Sequence, residues 1–390
     1  MPLFVVVVLA LLGLPAVAVL AEVLALPAGG LRTMLLVAGG WGFVTFLVTV
    51  WAMVRRPRLR SPLWVAAITV PGVVWAAGTF LAIPWALLSW LPHAGPLGLV
   101  PYAIAATGVW TSFVPRREVV RVPLGSPAEG RLPVDRRRVH VLPTDGEGLR
   151  IVQITDPHLG AFRSEASLRA LCERAVAAEP DLVLLTGDFF TMEGRDHPDA
   201  LARALRPLRA LSGRTFACYG NHDHEAPRAV AAALADAGVR LLVDEAAVVD
   251  TRVGKVQIVG LDHRWSRRDR HARVLHAHPR PEGALRVVLL HDPGAFRHLP
   301  EGEADLVLSG HTHGGHVGLV SLGLDWTAVS AIAGLPDHGL FARGTDRLYV
   351  HRGSGHYGFP LRIGVPMEES VIEVVSPRSA SKDPPTAPGG

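Results

Sequence analysis

Almost no charge interrupts the first 114 residues, and that constrains the fold of this chain more than any other feature. The apolar run from residue 3 to 114 is broken only at Glu22, Arg32, the cluster Arg55-Arg56-Pro57-Arg58-Leu59-Arg60, and His93. A helix needs roughly 20 apolar residues to cross a hydrocarbon core. The stretch therefore predicts a multi-span α-helical membrane module of about four helices, at residues 3–21, 31–54, 63–88 and 97–114, with Pro71 and Pro84 inside the third. Four spans put the arginine cluster and Arg116, Arg117 and Arg121 on one side, which positive-inside bias assigns to the cytoplasm. A three-span arrangement would separate them. The expectation is a multi-pass cell-membrane protein whose remaining domain is cytoplasmic. A rival is a cleaved signal peptide ending at Ala16-Val17-Ala18, but it lacks a basic n-region.

The rest of the 390 residues divides by composition. Residues 1–115 form the transmembrane module and 116–147 a polar connector with candidate strands at 119–122 and 138–142. Residues 148–375 form an α/β domain, and the Pro-rich tail 376–390 is too polar to pack, so it is expected to be disordered. A net charge of +4 carried mostly by arginine indicates no nucleic-acid partner. Arg264, Arg267, Arg268, Arg270 and Arg273 make residues 264–280 locally basic, either as a solvated loop or as a lip for an anionic substrate or lipid headgroup. Two cysteines, Cys172 and Cys218, are too few for a disulfide framework and read as buried thiols.

Beyond Gly148, short apolar runs alternate with Ala/Leu/Arg-rich helical stretches, the pattern of α/β layering. Five of these runs end in Asp, His or Asn: Asp156-Pro157-His158, Gly187-Asp188, Gly220-Asn221-His222-Asp223, His291-Asp292, and Gly310-His311-Thr312-His313-Gly314-Gly315-His316. In open α/β sheets such strand ends share one edge. Asp156, His158, Asp188, Asn221, His291, His311 and His313 supply seven oxygen or nitrogen donors and no thiolate, which suits Mn, Fe, Zn or Ni. Seven donors are too many for one ion and suit two that share a carboxylate.

This series of motifs resembles the calcineurin-like metallophosphoesterase superfamily over about residues 148–375, and residues 348–355 are similar to those of bacterial, membrane-associated members. The resemblance implies a four-layer αββα sandwich with two divalent metal ions at the strand ends. Carried over by motif, Asp156, His158 and His313 bind one ion, Asn221, His291 and His311 the other, and Asp188 bridges them. It also implies phosphoester hydrolysis by hydroxide activated between the two ions, with His222 donating a proton to the departing oxygen or stabilising its charge. Asp223 is expected to orient His222, and Asp262 and Asp292 to support ligating histidines. His316 stands where relatives carry Gln and either touches substrate or caps its turn. Phe189-Phe190-Thr191 departs from the Asp-Arg-Gly continuation of serine/threonine protein phosphatases, which argues against that subclass.

A domain tethered about 30 residues from a bilayer meets lipids at high effective concentration. A lipid or lipid-linked phosphodiester is therefore the leading substrate class, and the alternative is a membrane-bound sensor or scaffold with a catalytically weak domain. A metallo-β-lactamase reading of His311-x-His313-x-x-His316 fails, because Gly315 replaces its Asp and the other four clusters go unexplained.

Overall fold

The computed structural model describes residues 3–55, 58–88, 97–191, 194, 197–266, 269–358 and 360–375. Arg267 and Arg268 of the basic stretch, and the tail from residue 376, lie outside the described residues.

The front of the chain is helical. Helices Leu3–Ala25 and Gly30–Arg55 are followed by Pro62–Leu81, which is capped by the Ser61 hydroxyl and passes through a π-helical turn at Val65–Thr69. That turn precedes Pro71, whose missing N–H interrupts the regular helical ladder. Pro84 lies beyond the helix end, where the Ala82 amide bonds back to the Gly78 and Thr79 carbonyls, and a short helix Ile83–Leu88 restarts. The expected third span is thus split.

The expected fourth span is a 13-residue helix, Val100–Ser112, after a 3₁₀ turn at Leu97–Leu99. At 1.5 Å per residue it reaches only ~20 Å, short of a ~30 Å hydrocarbon core. Among the described residues two helices, Gly30–Arg55 and Pro62–Leu81, are long and apolar enough to cross a membrane. Glu22 accepts a hydrogen bond from the Gly98 amide at 3.1 Å, tying the first helix to the turn that opens Val100–Ser112.

Two seven-stranded sheets follow. The first runs β3 (Asp135–Arg138), β1 (Arg116–Pro123), β14 (Glu368–Val375), β4 (Leu149–Ile154), β5 (Leu182–Leu185), β6 (Thr215–Ala217), β7 (Arg240–Leu241). The second runs β2 (Ala128–Leu132), β12 (Gly339–Gly344), β13 (Asp346–Val350), β11 (Leu306–Ser309), β10 (Leu285–Leu290), β9 (Gly254–Leu261), β8 (Glu245–Thr251). Residues 116–147, expected as a connector, supply β1 to the body of the first sheet and β2 to the edge of the second. The strand expected at 138–142 lies at Asp135–Arg138 instead.

Strand periodicity explains the layering. Leu182 and Leu184 face the second sheet, while Val183 and Leu185 face helices Glu165–Ala177, Pro198–Leu205 and Pro227–Asp236. Val287 and Leu289 likewise face inward, whereas Val288 and Leu290 pack outward against Leu275, Phe296 and Leu299. Apolar residues on both faces give continuous runs, as strands buried on two sides require. Helices and turns therefore cover the outer faces of two facing sheets, and each fully buried Leu or Val contributes about 1.5–3 kcal/mol. Strands β4, β5 and β6 are parallel, as are β13, β11 and β10, so their C-terminal ends open at one edge.

Candidate metal centre

The donors stand on the turns that leave these strands. The Asp156 amide bonds to the Gly187 carbonyl at 3.0 Å and the His158 amide to the Asp188 carbonyl at 3.1 Å, lacing the turns after β4 and β5 together. Gly187 has φ +87°, and a Cβ there would run into the Gly220 amide nitrogen, so the turns after β5 and β6 approach this closely only with glycine. A Cβ at Gly310 would strike the Asp156 carboxylate and the Thr155 hydroxyl.

Six of the eight described non-glycine residues with positive φ belong to this edge: Asp156, His158, Asp188, His311, His313 and His316. Such conformations cost on the order of 1–3 kcal/mol each and persist only where surrounding bonds impose them. Here they turn every one of these side chains except that of His316 back toward a common point.

Two groups of side chains converge. Asp156, His158 and His313 offer ligand atoms within 4.8 Å of one another, and so do Asp188, His291 and His311. His158 Nε2 lies 3.2 Å from His313 Nε2, and His291 Nε2 lies 3.2 Å from both His311 Nδ1 and Asn221 Oδ1. Asp188 Oδ2 is 3.5 Å from His158 Nε2 and 3.3 Å from His291 Nε2, between the two groups. The seven donors named from the sequence thus meet in one place.

Supporting bonds set which nitrogens face inward. His158 Nδ1 faces the Phe190 carbonyl at 3.4 Å and His291 Nδ1 the Thr186 carbonyl at 2.6 Å. A carbonyl accepts only N–H, so each ring turns its Nε2 toward the cluster. Asp156 is held by the Thr155 hydroxyl at 2.7 Å and the His311 amide at 3.0 Å.

The electrostatics match. Burial lowers His158 and His311 to about 4 and takes His313 well below the usual histidine range, keeping them in the neutral, ligating form. Burial also pushes Asp156 up to about 6 beside Asp188. At Asp188 the same burial is outweighed by His291, His158 and His222, which hold the carboxyl well below its usual range. At His291 burial is outweighed by Asp188 and Asp156, which raise the imidazole to about 10. Lone pairs of the neutral His158, His311 and His313 and of the carboxylates converge on points that call for positive charge, part of which His291 supplies by holding a proton, and an oxygen and nitrogen set without sulfur fits a divalent cation at each.

Around this cluster several expectations change. Asp223, expected to orient His222, instead accepts from the Asp188, Phe189 and Gly220 amides at 2.8, 2.8 and 2.7 Å, a buried clamp on the turns after β5 and β6. The carboxylate at His222 is Glu225, whose Oε1 lies 2.8 Å from Nδ1. Asp262 pairs with His224 at 3.0 Å, and Asp292 caps its own turn through the Gly294 amide. His316 Nδ1 donates to the Leu361 carbonyl at 3.2 Å.

Besides Glu225, three residues were not anticipated. Tyr357 stacks on His222 with ring centroids 4.2 Å apart. The buried Arg362 donates to the His313 carbonyl at 2.9 Å. His263, at the turn after β9, lies edge-on to His291 at 5.9 Å. Its place after the apolar run Val256–Leu261 was the available signal.

Comparison with known proteins agrees with this geometry. Residues 149–315 match the model of the calcineurin-like phosphoesterase family. The chain is 29% identical to phosphodiesterase YaeI of Escherichia coli (strain K12) over 62% of its own length and 87% of that protein's. It is 26% identical to the UDP-2,3-diacylglucosamine pyrophosphatase LpxG of Chlamydia trachomatis serovar D, over 53% and 78% of the two chains. Among solved structures, a 5'-nucleotidase precursor of Thermus thermophilus aligns over 42% of each chain at 20% identity with a TM-score of 0.33. Residues 149–315 thus form a calcineurin-like phosphoesterase domain, and the relatives of the chain are metallophosphoesterases, hydrolases that act on phosphoric esters.

Proposed function

We propose that this protein is a membrane-anchored phosphoesterase that cleaves a lipid or lipid-linked phosphodiester with the help of two divalent cations. The observation that carries the reading is the convergence of seven donors in two groups, with Asp188 between them. Asp156, His158 and His313 would hold one ion, Asn221, His291 and His311 the other, and Asp188 would bridge. When bound, such ions neutralise phosphate oxygens and acidify water, and the donor set suits Mn, Fe, Zn or Ni.

The chain's own residues supply the rest. His222 faces the site with its Nδ1 against Glu225, so the proton it hands to a leaving oxygen comes from Nε2. Tyr357, half exposed and stacked on that ring, limits its rotation and screens it from water. Asp223 holds the turns of Asp188 and Asn221 in register, and Arg362 fixes the backbone at His313.

The helices support the membrane part of the reading. Arg58 to Ser61 join the two membrane-length helices and line a cavity with Glu165, His197, Ala200 and Arg203 of the phosphoesterase domain. This shared lining supports an arrangement in which the arginine-bearing turn and the domain lie on one side, the cytoplasmic one by positive-inside bias, with the chain between Leu81 and Arg116 making the return crossing. One relative is named for a diacylated sugar nucleotide and another as a phosphodiesterase, which supports an amphiphilic diester.

The test is hydrolysis by the full chain in detergent, stripped with chelator and titrated with manganese, on an aryl phosphodiester and a phospholipid. We expect activity to require metal, to saturate near two ions per chain, to favour the lipid, and to vanish in Asp188→Asn. Metal binding without hydrolysis of either ester overturns the enzymatic reading. Equal rates on both esters overturn the lipid preference.

A further inference from the structure

A second site lies where the helical module meets the sheets. A cavity of about 460 Å³ opens beside the C-terminal end of helix Val100–Ser112 and the start of β1. One side is apolar, with Trp110 and Val114 72% and 50% exposed, continued by Leu322, 75% exposed, on the turn whose Ser321 lines the cavity. Its other side carries Arg116, Arg117 and Arg138. Arg116 Nη2 donates to the Ser321 hydroxyl at 3.2 Å, so the apolar turn and the basic wall are parts of one structure.

The positive charge there is in excess. Glu118 is 3.0 Å from Arg136 and 2.7 Å from Arg352, with Arg116 a distant third at 3.8 Å. Glu369 is divided between Arg117 at 3.2 Å and Arg174 at 2.5 Å. Arg138, exposed at the end of β3, has no ion-pair partner among the described residues. An exposed tryptophan and leucine beside unbalanced guanidiniums match a ligand that is apolar at one end and anionic at the other.

We propose that this cavity binds the phosphate of an anionic phospholipid from the bilayer, with its acyl chains along Trp110, Val114 and Leu322. The inference rests on the membrane reading above, because it takes Val100–Ser112 to lie at the lipid surface. A cavity of this size holds a glycerophosphate group, and arginines at a cytoplasmic membrane face are drawn to anionic lipid. The site is separate from the metal centre and none of its residues belongs to the catalytic set. Its role is to seat the phosphoesterase domain against the membrane in one orientation.

The experiment uses the full chain in detergent, titrated by native mass spectrometry with phosphatidylglycerol, with phosphatidylcholine of the same acyl chains, and with glycerol phosphate. Phosphatidylglycerol is expected to bind roughly tenfold or more tighter than either competitor, and the Arg116→Gln/Arg138→Gln variant to lose that preference. Leu322→Ser, which alters only an exposed side chain, is expected to weaken phosphatidylglycerol several-fold. Manganese-dependent hydrolysis of a soluble aryl diester stays unchanged in both.

No preference in the native chain, preference surviving the double variant, or glycerol phosphate binding as tightly as the lipid would each overturn the proposal. Carbonate extraction of native membranes reads the membrane reading separately. A chain that is extracted there refutes the anchoring, whereas a retained chain without lipid preference refutes only this site.

Discussion

At the scale of single residues, the carboxylate beside His222 decides how the proposed proton donor works. Replacing His222 with Ala is expected to lower kcat on a diester by about 10²–10⁴-fold, while metal content by mass spectrometry and the melting temperature stay at the native values. A matching loss of bound metal would show that the residue is structural. In Glu225→Gln, the Nδ1 partner of His222 loses its charge, so the limb of the pH–rate profile that reports the imidazolium moves to lower pH. An unmoved limb rejects the pairing.

The seven donors were legible because each ends an apolar run, and a strand end is readable from local pattern. Glu225 was within reach too, three residues beyond His222 on one 3₁₀ turn. Arg362 and Tyr357 were not, since they reach the site only through packing of a loop far along the chain. Nor could residue types disclose that Asp156, His158, Asp188, His311 and His313 all adopt left-handed backbone.

Among the elements, β13 and β14 hold a buried ionic cluster that ties the two sheets. Glu368 on β14 takes the Tyr349 hydroxyl of β13 and the Arg352 amide, and Arg136 reaches it at 3.6 Å. His351, at the end of β13, is lowered to about 4 by burial, with Arg352, Arg136 and Arg362 acting in the same sense and Glu368 against it. Its folded value lies below the unfolded one, so the unfolded chain takes up the proton first as pH falls. The stability it contributes is complete above about pH 6.5 and drains away toward pH 4, on the order of 3 kcal/mol.

Thermal midpoints of the full chain should therefore drop between those values, and less steeply in His351→Asn. Parallel slopes would remove His351 from the account. Hydrophobic periodicity revealed the inner strands, whereas β2 and β3, rich in Arg, Glu and Asp, escaped it as edge strands with few buried side chains. The third expected span is split and the fourth is short, because hydropathy ignores where proline and backbone bonding stop a helix.

For the whole molecule, the placement of Arg58 to Ser61 against the phosphoesterase domain leads to a topological prediction. A cysteine introduced as Ser61→Cys should react with an impermeant maleimide only in inside-out vesicles. The native Cys172 and Cys218 are buried and add little background. Labelling from the outer face instead would invert the proposed orientation.

Strand order adds a matter of timing. β14 sits between β1 and β4 in the first sheet, so a strand that emerges early waits for one of the last described segments before its sheet can be completed. From Pro123 to Val375 is 252 residues, and at ~5–20 residues/s a ribosome takes about 13–50 s to cover them. During that interval the apolar helices have already left the ribosome, while the sheet that carries Asp156 and Asp188 is still open. A nascent chain stalled before residue 368 would be a protease-sensitive intermediate, and the sheet that carries the metal donors closes only once β14 has emerged.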